Sequence, residues 1–149
     1  MIIKQYLDVI QGNKSQTRRM KDRYQVGRVY SVVPKMYQPT VKYACVGMDQ
    51  YAIWHPTDPL LSVDDWIPLQ IRITAKRQEP LQALTEENAW AEGIYQNPDN
   101  SRYLCHLLTT DYETAVECYA ALWDFINKKP GTRWCDNPII TAYWFEVVQ

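Results

Sequence analysis

Histidine is nearly absent from this 149-residue chain, which holds only His55 and His106, and its four cysteines form no Cys-x-x-Cys pair. Neither histidine lies at zinc-site spacing from Cys45, Cys105, Cys118 or Cys135, so no metal centre is expected. The thiols read as reduced and mostly buried. Long apolar runs are missing as well. The start, Met1-Ile2-Ile3-Lys4-Gln5, lacks the apolar core of a signal peptide, and no later segment approaches the length of a membrane span. A cytoplasmic protein with no membrane partner is the expectation. Net charge is small, −1 at pH 7, and no internal repeat or low-complexity tract occurs. Three aspartates, Asp58, Asp64 and Asp65, match no calcium-loop spacing, so no metal and no cofactor is expected from them. Phenylalanine is rare, at two residues against eleven tyrosines and six tryptophans. That bias favours amphipathic rings suited to strand faces, half-wet clefts and stacking on bases.

The hydrophobic fraction of 46% and charged fraction of 22% are those of a folded domain, and the length suits one domain, residues 1–149. Against the near-neutral whole, one window stands out. Lys14, Arg18, Arg19, Lys21, Arg23 and Arg28 face only Asp22, about five net positive charges in fifteen residues, so the remainder is acidic. Such a run attracts phosphate or another anion, or simply solvates the surface. Within it, Thr17 follows Lys14 by three residues, a spacing that places both groups on one side of a turn.

Ile2, Ile3, Tyr6, Val9 and Ile10 fall near helical spacing, with Gly12 placed to end that turn. Strands are predicted at 28–33 and 41–46, and a loop insertion over about 34–68, rich in proline and aspartate. Leu69–Thr74 alternates like a half-buried strand, and Ile139–Val148, β-branched and aromatic, is its expected partner. Two helices fall between them. Thr85 caps a short one, with Glu86 and Glu87 in its first turn. Thr110-Asp111-Tyr112-Glu113 reads as the capping box of a longer one, which buries Ala115, Val116, Tyr119, Ala120, Trp123 and Ile126 and ends before Pro130-Gly131. Strands interrupted by helices, with few crossover patterns, suggest an α+β barrel-like domain.

Gly12-x-Lys14-x-x-Thr17-x-Arg19 resembles the Gly-x-Lys-x-x-Glu-x-Arg signature of the ASCH-domain family, whose members share the PUA-like β-barrel with flanking helices. Thr17 stands where most members carry glutamate. That exchange resembles the branch with N4-acetylcytidine amidohydrolase activity, in which a glutamate of a Leu-Thr-Glu helix completes the site. The matching stretch is Leu84–Gly93, which makes Glu92 the carried-over acid. Arg77–Thr85, Leu122–Asn127 and Trp134–Pro138 resemble the longer members common in phages and prophages. Residues 34–68 are poorly covered. Val29-Tyr30-Ser31-Val32-Val33 departs from a Trp-Val-Arg-Glu run in longer members, so any role of that Arg-Glu pair is absent.

The resemblance implies a basic cleft that takes RNA or a modified nucleoside, with Lys14, Thr17 and Glu92 as catalytic residues if an acylated base is hydrolysed. Thr17 would attack with Lys14 as base, or Glu92 would activate water with Thr17 binding substrate. Gly12, Ser15, Arg18, Arg19, Lys21 and Trp134 are the expected nucleic-acid or anion contacts, Arg19 also serving an oxyanion. Plain alternatives exist: Lys14–Glu92 as an ion pair at a cleft edge, Thr17 as a cap, Trp134 as a pin for its loop, and Arg18, Lys21 and Arg23 as solvated or phosphate-facing charges. A non-catalytic RNA-binding module, a ribonuclease-like member, or a protein-binding relative with a vestigial cleft are the competing functions.

Overall fold

A computed structural model describes residues 2–3, 9, 12–34, 42–45, 51–54, 69–105 and 107–148. The centre is a long antiparallel pair, β6 (Leu69–Pro80) and β9 (Ile139–Val148). On the far side of β6 lies β3 (Val29–Pro34), antiparallel, with β1 (Ile2–Ile3) parallel to it. β2 (Gln16–Arg19) pairs antiparallel with the other side of β9. The sheet order is therefore β1-β3-β6-β9-β2. Among the described residues no ladder joins β1 to β2, so of the barrel-like domain expected the structure shows a five-stranded mixed sheet with few helices. Ile2 and Ile3 are strand and not the start of a helix; Val9 is helical, and Gly12 closes back on it with N–H donating to the Val9 carbonyl at 3.1 Å and φ +78°.

Inside the expected 34–68 insertion, β4 (Lys42–Cys45) and β5 (Tyr51–Trp54) form an antiparallel pair. The rest of that segment beyond Pro34 lies outside the described residues. β7 (Tyr95–Gln96) and β8 (Tyr103–Leu104) make a second small ladder.

One irregularity decides what the sheet presents. The β6–β9 register shifts between Ile73 and Ala75, so Ile73 stands opposite Phe145 but Ala75 opposite Trp144. Side chains alternate along a strand, and an extra residue reverses the alternation beyond it. Ile71 and Ile73 therefore share a face with Tyr143, Phe145 and Val9. Arg77 and Glu79, of the same sequence parity, turn to the other face, beside Ala142 and Ile140.

That second face carries the helices. α1 (Glu86–Ala91) begins at Thr85, whose hydroxyl accepts from the Asn88 N–H at 3.2 Å. α2 (Ala115–Ile126) begins five residues after Thr110. Its N-cap is Thr114, whose hydroxyl accepts from the Glu117 N–H at 3.1 Å, so the expected box at 110–113 is displaced. Two further orphan amides of α2, those of Ala115 and Val116, donate to the Glu86 carboxylate at 2.9 and 3.0 Å. An acid in the first turn of one helix thus also caps the other. The buried stripe of α2 is Ala115, Cys118, Tyr119, Leu122 and Trp123, at helical spacing. Val116, Ala120 and Ile126, expected inside, are half-buried. The stripe packs on Leu81, Leu84, Ala89, Ile140 and Ala142. Each fully buried leucine, Leu81 and Leu122, contributes about 1.5–3 kcal/mol.

Candidate functional site

The end of α1 builds the site. Gly93 adopts φ +99°, a conformation that costs a residue with a Cβ about 1–2 kcal/mol. Its N–H donates to the Trp90 carbonyl at 3.0 Å, and the Ile94 N–H reaches back to Ala89 at 3.4 Å, which stops the helix at Glu92. β2 approaches this terminus: the Ser15 N–H donates to the Ala91 carbonyl at 2.8 Å, and Lys14 bridges Glu92. Lys14 Nζ then donates to Glu92 Oε2 at 2.6 Å and to the Glu92 backbone carbonyl at 2.9 Å. One ammonium therefore neutralises a carboxylate and caps the negative end of α1.

Glu92 is 2% exposed and Lys14 4%. Arg18, also 4% exposed, donates through Nη1 to Glu92 Oε1 at 3.0 Å and to Gln16 Oε1 at 3.1 Å. Its Nη2 donates to Glu79 Oε1 at 3.2 Å. Gln16 Nε2 extends the network to Asn88 Oδ1 of α1 at 2.9 Å. Two cations and two carboxylates thus form a closed, neutral unit between the sheet and the helices. Pairing is obligatory at such depth, because an isolated buried charge is strongly unfavourable. Arg18 Nε is the one enclosed side-chain polar atom, among the described residues, with no hydrogen-bond partner.

Burial alone would lower the Arg18 pKa, but Glu92 and Glu79 outweigh it and hold the group above its ordinary value. Burial, and then the Glu92 charge, push the Tyr119 phenol well above 10. A neutral folded tyrosine whose unfolded counterpart ionises near 10 contributes stability that is complete below that pH and lost as pH rises above it. Tyr119→Phe should therefore flatten the alkaline fall in unfolding free energy, removing a slope of about 1.4 kcal/mol per pH unit above pH 10. Denaturant titrations between pH 8 and 11 check this; equal slopes in both proteins would contradict it.

The expected site residues separate into two groups. Lys14 and Glu92 meet, as described. Thr17 does not join them. It sits between Gln16 and Arg18 in a regular strand and opposite Tyr143, so its side chain turns to the face of Ile71, Ile73 and Tyr143. The turn that would have aligned Thr17 with Lys14 is extended chain. Arg18, expected as a solvated or phosphate-facing cation, is enclosed between Glu92 and Glu79. Arg19 is half-buried, while Gly12, Ser15, Lys21, Arg23 and Arg28 are exposed. The loop after β2 is drawn onto the sheet by Tyr143, whose hydroxyl accepts from the Arg23 N–H at 2.9 Å and lies 3.1 Å from Asp22 Oδ1. A hydrogen bond from Lys76 holds the Asp22 carboxyl below its usual range. Trp134 is half-buried, edge-on to Tyr119 at 6.4 Å, with its backbone N–H donating to Asp124 Oδ1 at 2.7 Å, which fits a loop pin.

Glu79, Arg77 and Gln16 are bonded into the unit, with Tyr119 as an electrostatic neighbour, and none was among the expected residues. Arg77 Nε donates to Glu79 Oε2 at 2.7 Å, and its guanidinium lies 5.0 Å from the Trp144 ring centre. An Arg-x-Glu pair on one strand is a usable sequence signal; the face it occupies is not. Cys105 and Cys118 are buried and Cys135 is exposed. Among the described residues no cluster of metal-ligating side chains occurs, and no helix is long and apolar enough to cross a membrane.

No family model matches the chain, and no curated protein matches it by sequence. Solved structures do. The ASCH domain from Lactobacillus crispatus JV V101 aligns over 94% of this chain and 67% of that one, with a TM-score of 0.50 and 12% identity. Protein EF3133 from Enterococcus faecalis V583, of the family DUF984, aligns over 95% of this chain at 15% identity and a TM-score of 0.49. The chain spans 64% of that protein's length. The fold is ASCH-like.

Proposed function

We propose that this protein is a non-catalytic module that binds RNA or a modified nucleoside over the Lys14–Glu92–Arg18 unit. The observation that carries the reading is the unit itself, a buried, charge-compensated joint that fixes a cationic segment on an ASCH-like fold. Lys21, Arg23 and Arg28 remain exposed in the loop that follows β2, and Arg19 is half-buried. PUA-like proteins commonly present a basic cleft to RNA, which supports the same reading. Hydrolysis of an N4-acetylcytidine-type amide is not included. Its candidate nucleophile, Thr17, shares no face with Lys14, and the Glu92 carboxylate already accepts from Lys14 and Arg18.

Phosphate contacts release counterions, so binding weakens with salt. With about four phosphate contacts to single-stranded RNA, the logarithmic salt slope should be near −3. Fluorescence anisotropy of a labelled RNA oligonucleotide between 50 and 500 mM salt measures it. Absence of salt-sensitive binding to a panel of RNAs would contradict the proposal.

A further inference from the structure

We infer that Arg77, seated on the Trp144 ring, is a phosphate-contacting residue of an outer subsite beside the buried unit. This rests on the RNA-binding reading above and extends it to a residue on a different strand. Lys14, Arg18, Glu92 and Glu79 balance one another in charge, so Arg77 carries the uncompensated positive charge of the five linked side chains. It is also their exposed member, with its side chain 56% accessible. Complementing that charge takes an anion.

The guanidinium is held in place before any ligand arrives. Nε is fixed by Glu79 Oε2 at 2.7 Å, and Glu79 is fixed in turn by Arg18 through Oε1. The guanidinium carbon lies over the ring of Trp144, 5.0 Å from its centre, and Trp144 is half-buried on the central strand. Most exposed arginines lose rotamer freedom when they bind; this one has already lost it. Its two Nη groups have no hydrogen-bond partner in the described structure, and a fork of two nitrogens matches two phosphate oxygens.

Placement on the site's face follows from two features. The β6 irregularity turns Arg77 to the helix-bearing side, and Ala142, between Arg77 and Arg18 in the register, is small enough for both to reach Glu79. A ligand phosphate on Arg77 therefore sits above Glu79, at the outer end of a continuous chain of bonds that ends at Glu92 and Lys14.

The test uses the labelled single-stranded RNA oligonucleotide with the full chain and with Arg77→Gln, Arg77→Lys and, as a control of equal charge loss, Arg72→Gln. Arg72 is exposed on the same strand and pairs with Glu146. Arg77→Gln should weaken binding about 5- to 10-fold at 100 mM salt and reduce the salt slope by about 0.7, the value for one phosphate contact on a single strand. Arg77→Lys should keep the slope and lose part of the affinity. Arg72→Gln should change neither. A purely structural Arg77 would leave the slope untouched, and wild-type slope and affinity in Arg77→Gln would overturn the inference while leaving the RNA reading intact. Failure of the unaltered protein to bind RNA would overturn both.

Discussion

Glu92→Leu should lower the unfolding free energy by about 3–5 kcal/mol, the range seen when one partner of a buried ion pair is removed. At about 2–4 °C per kcal/mol for a chain of this size, thermal unfolding followed by circular dichroism should shift downward by about 6–20 °C. The magnitude follows from what the carboxylate leaves behind. Lys14 keeps its bond to the backbone carbonyl of residue 92, and Arg18 retains Glu79 and Gln16. Lys14 can shed its proton to escape burial, but a guanidinium cannot. Glu92→Gln keeps the shape and one acceptor, and should cost less. A surface pair removed in the same way, such as Arg72–Glu146, should cost under about 1 kcal/mol, and the contrast between the two sites is part of the expectation.

Much of this arrangement is legible in the sequence where the cause is local. Thr85 before Glu86-Glu87 predicts a helix start, and the hydroxyl cap is present. The alternation at 69–74 and the β-branched 139–148 segment predict partners, and they pair along their length. The cap of α2 is misread by four residues because two threonine-led candidates, Thr110 and Thr114, precede the same apolar stripe. Only Thr114 leaves Ala115 and Val116 facing Glu86. What is non-local stays hidden. Strict alternation would put Arg77 and Glu79 on the side of Ile71 and Ile73; a single extra residue near Thr74 reverses that, and nothing in the residue types announces it. Arg18 and Arg19 look interchangeable in a basic run. Strand parity encloses the first between two glutamates and leaves the second half-buried, so the basic window is part joint and part surface. The same parity removes Thr17 from the pair it resembles a partner of.

Arg18→Met should be the second-largest loss, about 2–3 kcal/mol, and smaller than that of Glu92→Leu for a stated reason. Removing Arg18 takes one cation from each of two carboxylates, but Lys14 stays on Glu92, and Arg77 stays on Glu79. The change also removes the buried Nε that has no partner, which offsets part of the cost. Loss of the Arg18 bridge should loosen Glu79 and with it Arg77, so RNA affinity should fall even though Arg18 itself is enclosed.

Combining the two substitutions gives the most direct measurement of whether these charges act as one unit. In a double-mutant cycle by urea denaturation, Arg18→Met with Glu92→Leu should cost at least about 1 kcal/mol less than the two singles added together, because each single strands the other's charge. Losses that add to within about 0.3–0.5 kcal/mol would mean that Arg18 and Glu92 are independent, and that no shared buried unit supports the site.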